Sequence, residues 1–164
     1  MISEKPKMAS MKHGYVYQGT ENDRLFDSAF RHAGGLSCSA CPAEHEQERE
    51  DRPDNVPVIH YGIIASGNTL MKDAGQRDTL AQAIKKATGV DALCLEMEAA
   101  GLMNSFPCLV IRGISDYCDT HKNDRWQRYA AATAAAYAKE LLGVVPASSV
   151  EHMQPAIRAI EACQ

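Results

Sequence analysis

The chain has 164 residues, 45% of them hydrophobic and 23% charged, and 17 basic against 21 acidic side chains leave a formal charge of −4. That length suits one domain of roughly 100–200 residues with a core of its own, and the composition excludes wholesale disorder. Up to residue 55 there are 7 basic against 10 acidic residues and beyond it 10 against 11, so neither part has the basic excess that grips nucleic acid or anionic membrane. No apolar run approaches the roughly 18–20 residues that span a bilayer, and the lysines of residues 1–12 lack the apolar stretch of a secretory signal. The expectation is a cytoplasmic protein with neither a nucleic-acid nor a membrane partner.

Residues 1–55 mix Gly, polar and charged residues without sustained periodicity, apart from a short helical candidate around Leu25, Phe26 and Phe30. The stretch Glu44 to Asp54 reads as a solvated loop. Of six cysteines (38, 41, 94, 108, 118 and 163), Cys94 and Cys108 sit in apolar runs and read as small buried hydrophobes. Cys38-Ser-Ala-Cys41 differs, because His32 and His45 flank it. Four N/S ligands at that spacing could hold a structural zinc. A single CxxC equally suits plain loop cysteines, and the reading adopted is no metal.

From Val56 the pattern becomes orderly. Val58 to Ala65 has the composition of a buried strand and stops at Ser66-Gly67-Asn68. Asp78 is placed to cap a helix running to about Thr88, with Leu80 and Ile84 on one face and Gly89 as its stop. Ala92 to Leu95 reads as a second strand, followed by Glu96-Met97-Glu98 and a short helix through Ala99, Leu102 and Met103 that Pro107 ends. Cys108 to Ile114 reads as a third strand. A helix from about Trp126 to Leu142 closes the pattern, with Trp126, Ala130, Thr133, Tyr137 and Leu141 on one stripe. Apolar strands alternating with helices argue for an α/β fold, a mixed and largely parallel sheet flanked by helices.

Ligands of such sheets bind at the carboxyl ends of strands. There the chain places Ser66 and Asn68, then Glu96, Met97 and Glu98, then Ser115 and Asp116. A carboxylate just past an apolar strand needs a partner or a ligand. Two such acids facing one site suit acid–base help at a glycosidic bond, with one serving the leaving group and another the substrate hydroxyls. The structural alternative is that Glu96 or Glu98 caps the next helix. Arg112 could equally be the ion-pair partner of one acid.

The motifs HYGIIASGN (60–68), LEMEAAGLMNSFPCLVIRGISD (95–116) and THKNDRWQRYAAATAAAYAKELL (120–142) strongly resemble the nucleoside phosphorylase superfamily. That superfamily includes purine and uridine phosphorylases and nucleosidases acting on methylthioadenosine; the likeness is greatest to the fungal branch fused to NACHT or ankyrin modules. It covers about half of the chain and extends more loosely to YQGTENDRLFD and CSAC. The resemblance implies a phosphorylase/hydrolase-like fold and cleavage of the N-glycosidic bond of a purine nucleoside, with phosphate as co-substrate and no cofactor. By motif, Met97 would pack against the ribose and Glu98 would accept from its 2′- and 3′-hydroxyls. Asp116 would be the acid at the purine N7, Ser115 a supporting contact, and Ser66 and Asn68 would approach the base. Glu96 and Arg112 would support them. Nucleosidases carry Asp and an aromatic where Asn68 and Leu70 stand, and the fungal relatives commonly have Cys in place of Ser115.

Family domains begin with a Gly-rich strand and loop that bind phosphate, or a glutamate that activates water. Residues 1–55 show neither. The expected organisation is therefore an irregular segment over 1–55, the C-terminal half of a phosphorylase-like domain over 56–146, incomplete at its N-terminus, and a tail over 147–164. Homo-oligomers, or association with a missing half-domain, would complete it. Two alternatives stay open: a non-catalytic nucleoside-binding or signalling module, and a hydrolytic nucleosidase.

Overall fold

A computed structural model describes residues 14–35, 37–104 and 108–151. Pro107, Cys163 and residues 1–12, each given a reading above, lie outside the described residues.

Two strands, β1 (Ile63–Ser66) and β2 (Ala92–Glu96), pair in parallel, with Ile64 opposite Cys94 and Ser66 opposite Glu96. The helix α1 (Ala74–Thr88) connects them. Its first turn is capped by Asp73, whose side chain accepts from the Gln76 amide at 3.0 Å, and its end by Gly89 at φ +75°. A left-handed residue there costs glycine little. Asp78, expected as the cap, instead lies inside α1, bonded to Ser28 at 2.6 Å and Arg77 at 2.7 Å. The helix starts five residues earlier because Asp73 has the extended backbone (φ −141°) that lets a side chain reach back to a helix amide.

A short helix, α2 (Ala99–Met103), follows β2 directly. Residues 108–117 form no strand, contrary to the third strand expected there. A strand exists through its ladder of hydrogen bonds, and this segment instead runs against α3 (Gln127–Val144), where a side chain added at Gly113 would collide with the Ala130 backbone. The predicted stripe holds on α3: Ala130 is buried, and Trp126, Thr133, Tyr137 and Leu141 are partly covered. A further helix, α4 (Ala147–Glu151), opens the segment read as a tail. The architecture is mixed α/β with a two-stranded parallel sheet. Among the described residues no helix is long and apolar enough to cross a membrane.

The segment before β1 has 3₁₀ turns at Thr20–Asn22, Cys38–Ala40 and Ala43–His45 and an isolated bridge between Phe26 and Glu46. No helix forms at Leu25–Phe30. Phe26 is the most deeply buried apolar side chain described (1% exposed), with Arg24 over one ring and His121 stacked on it at 4.1 Å. Tyr17, Trp126 and Tyr129 form an edge-to-face cluster, and Trp126 Nε1 donates to Asn22 O at 3.0 Å. Much of the sheet side is bare by comparison: Val58, Ile59, Leu93, Leu102 and Leu109 are all exposed. Cys94 and Cys108, expected buried, are only half-buried, because no layer covers that side among the described residues.

Candidate functional site

An open cleft of about 880 Å³ lies at the carboxyl end of β2, between α1, the 111–118 segment and α3. It gathers Glu96, Met97, Glu98, Arg112, Ser115 and Asp116 from two separate stretches of chain. The sequence pointed to all six. Ser66 and Asn68 are not among its lining residues, whereas the adjoining Thr69, Leu70 and Met71 are.

Glu96 and Glu98, two residues apart, do different work. Glu96 is buried, and its Oε2 accepts from the amides of Glu98 and Ala99 at 2.9 Å each, which caps α2. Ser66 Oγ accepts from the next amide, Ala100, at 3.0 Å, tying the end of β1 to the same helix start. Burial acts to raise the Glu96 pKa, but the Ser66 hydroxyl beside it, the two amides and the Arg112 charge outweigh it and hold the carboxyl below its ordinary value. Glu96 Oε1 is shut away from solvent without a hydrogen-bond partner of its own among the described residues. Glu98 points outward, and its Oε2 meets Arg112 Nη1 at 3.1 Å with both side chains largely exposed. Such a pair contributes about 0–1 kcal/mol and exchanges readily for another partner.

Asp116 is held from three sides. Lys122 Nζ donates to Oδ2, Ser115 Oγ donates to the same oxygen at 3.3 Å, and the Cys118 amide donates to Oδ1 at 2.9 Å. The last bond closes an Asx-type turn that holds Cys118 at φ +56°, uncommon for a residue other than glycine. Burial pushes the Asp116 pKa up, yet the Lys122 hydrogen bond, the Cys118 amide and the Lys122 charge together hold it below the ordinary carboxylate value. Asp116 is thus an ionised acceptor at neutral pH, and any proton it delivers must come through Lys122 or solvent.

Lys122 is the residue that motif reading passed over, although it stands in the quoted THKND run six positions after Asp116. Arg77 was missed as well: it lines the cleft and donates to Tyr117 O at 2.7 Å. No periodicity marks it, since it acts across the fold. The Tyr117 hydroxyl donates to Asp23 at 2.6 Å and accepts from Arg49 at 2.6 Å; burial first, and then Asp23, push its pKa strongly upward. The loop carrying Asp116 is thereby bound to the N-terminal segment.

Outside the cleft, His32, Cys38 and Cys41 place one ligand atom each within 4.8 Å of one another. His45, the fourth zinc candidate of the sequence, is not in this group. It stacks on Phe30 at 4.1 Å, because its turn aims the ring at the aromatic cluster. Burial and the neighbouring Cys41 raise the Cys38 thiol.

No family model matches the chain, and no solved structure matches it. Over 125 residues, 76% of its length, the chain is 47% identical to a nucleotide-binding leucine-rich repeat (NLR)-like protein of Hyaloscypha variabilis. It spans 12% of that curated relative's length, so its likeness is to one part of a far larger protein.

Proposed function

We propose that this chain is the nucleoside-binding portion of a phosphorylase/hydrolase-like domain that cleaves the N-glycosidic bond of a purine nucleoside with phosphate as nucleophile. The observation that carries the reading is the meeting of Met97, Glu98, Ser115 and Asp116 in one cleft. Glu98, loosely paired with Arg112, is free to exchange that partner for two ribose hydroxyls, which a carboxylate accepts together. Asp116 and Lys122 take the base. As a phosphate oxygen bonds to C1′ and the bond from C1′ to N9 breaks, the electron pair stays with the purine. N7 then takes the proton shared by the Lys122–Asp116 pair. Exposed Leu109 and Ile114 beside the cleft support completion by further chain or by a second copy.

A second reading is a nucleoside-sensing module without turnover, one part of an NLR-like receptor. Two observations favour it: the chain matches a small part of such a protein, and Asp116 is held ionised.

The test is release of free base from inosine and adenosine by the purified chain, with and without phosphate, beside calorimetric nucleoside binding. Phosphate-dependent release that Asp116→Asn lowers by about 10²–10⁴-fold supports the first reading. Phosphate-independent release would mean a hydrolase. Binding without release, weakened by Glu98→Gln for nucleosides but not for free bases, supports the sensor. Folded protein that neither binds nor cleaves sinks both.

A further inference from the structure

The cysteine loop carries chemistry that the cleft does not use. Cys38 and Cys41 stand at the two ends of a 3₁₀ turn, with the Cys41 amide donating to Cys38 O at 3.0 Å. The Arg24 guanidinium clamps both carbonyls, Cys38 O and, at 2.8 Å, Cys41 O. The backbone that aims the two sulfurs is therefore held independently of them. Donor atoms around a tetrahedral zinc lie about 3.3–3.8 Å apart, from Zn–S of about 2.3 Å and Zn–N of about 2.0–2.1 Å. The three ligand atoms of His32, Cys38 and Cys41, mutually within 4.8 Å, need to draw in by at most about 1–1.5 Å to reach that spacing.

His121 stands beside this group, with Cys38 Sγ 3.9 Å from its carbonyl oxygen, but its ring nitrogens lie outside the 4.8 Å that joins the other three ligand atoms, so its ring must move further than theirs to ligate. His121 is 6% exposed, yet neither of its ring nitrogens has a hydrogen-bond partner among the described residues. Two orphaned nitrogens on a buried imidazole are costly and call for a cause. Its ring lies edge-on to that of His32 with centroids 5.4 Å apart. Two imidazoles on one tetrahedral ion hold their centroids about 5 Å apart, from the same Zn–N length. Asp119 Oδ2 is 3.5 Å from His121 Nδ1, outside hydrogen-bond geometry but placed to take that N–H and leave Nε2 for a metal. His32 holds Ser37 O and the Gly34 amide at 3.2 Å each through its two ring nitrogens, and one of these bonds must yield.

We infer that His32, Cys38, Cys41 and His121 form a structural zinc site, with Asp119 orienting His121. It staples the N-terminal segment to the loop that carries Asp116 and Lys122. Binding would release the two thiol protons, and the site is independent of any activity in the cleft.

The test is metal analysis of the full chain purified with zinc under reducing conditions, followed by cobalt substitution. Stoichiometric zinc, thiolate-to-cobalt charge transfer with tetrahedral d–d bands, and two thiols that react with Ellman's reagent only after chelation support the site. Zinc should be lost in Cys38→Ser and Cys41→Ser and weakened by more than tenfold in His121→Phe, which keeps a ring against Phe26. Asp119→Asn should cost about 10–100-fold in affinity, and His45→Phe nothing. Absence of stoichiometric zinc, a Cys38–Cys41 disulfide in its place, or equal losses in His45→Phe and His121→Phe would overturn the assignment. The cobalt spectrum and thiol protection of the unaltered chain decide the matter even where a variant fails to fold.

Discussion

The segment before β1 and the run from β1 to α2 differ in a way that regular structure alone would not suggest. The first has short 3₁₀ turns and one isolated bridge, yet it holds Phe26 at 1% exposure and the buried Cys41. The second has strands and helices in regular alternation, yet Leu93 and Leu102 stand 41% and 48% exposed. A helix or a parallel ladder satisfies backbone N–H and C=O groups from within itself, whereas burial needs a surface brought from elsewhere. The N-terminal segment finds such a surface in His121, Trp126 and Tyr129. There, side chains replace the ladder: Arg24 holds two loop carbonyls and Trp126 holds a third.

The contrast can be broken by mutation. Phe26→Ala should cost about 3–5 kcal/mol in urea unfolding, against less than about 0.5 kcal/mol for Leu109→Ser on the bare side. Equal losses would mean that the exposed face is covered in solution. Next, Lys122→Met should cost about 1.5–3 kcal/mol at pH 7, because it leaves a half-buried carboxylate without its charged donor. Asp116 is held below its ordinary pKa of 3.8, so its stabilisation is complete above that value and is lost as pH falls through the lower folded value. The cost of Lys122→Met should therefore shrink in acid, and a pH-independent difference would refute the pairing.

Gly113→Ala tests the contact between the 108–117 segment and α3. Its new methyl meets the Ala130 backbone, which cannot swing aside, and a loss of about 1–3 kcal/mol is expected by thermal unfolding. A smaller effect falls within the regular run. Asp73→Ala removes a cap and should cost about 1 kcal/mol, whereas Asp78→Ala should leave the helicity of α1 intact by circular dichroism.

Periodicity located α1 and α3, and Gly89 ends the first as read, but the helix expected around Leu25–Phe30 does not form. It failed at 108–117, where an apolar, β-branched run looks like a strand whether or not a neighbour supplies the ladder. It also failed at Asp78, since two acids five residues apart compete for one cap and only backbone geometry chooses between them. Glu96, Met97 and Glu98 were legible because they stand at the end of β2, whereas Arg112, Ser115 and Asp116 were read from an expected strand that does not form. Lys122 and Arg77 were not legible, because their partners lie six and forty residues away.

From the amino-acid order alone came α1 and α3, the β1–β2 pair (its first strand read over 58–65 and formed over 63–66) and the acids that follow β2, all of them consequences of spacing along the chain. Only the tertiary structure separated Glu96, buried as a helix cap, from Glu98, exposed beside Arg112. It likewise stacked His45 on Phe30 and brought the His121 carbonyl to 3.9 Å from Cys38 Sγ. Such choices depend on which groups burial brings within a few ångströms, and contacts across 80 or more residues leave no periodic trace in the sequence.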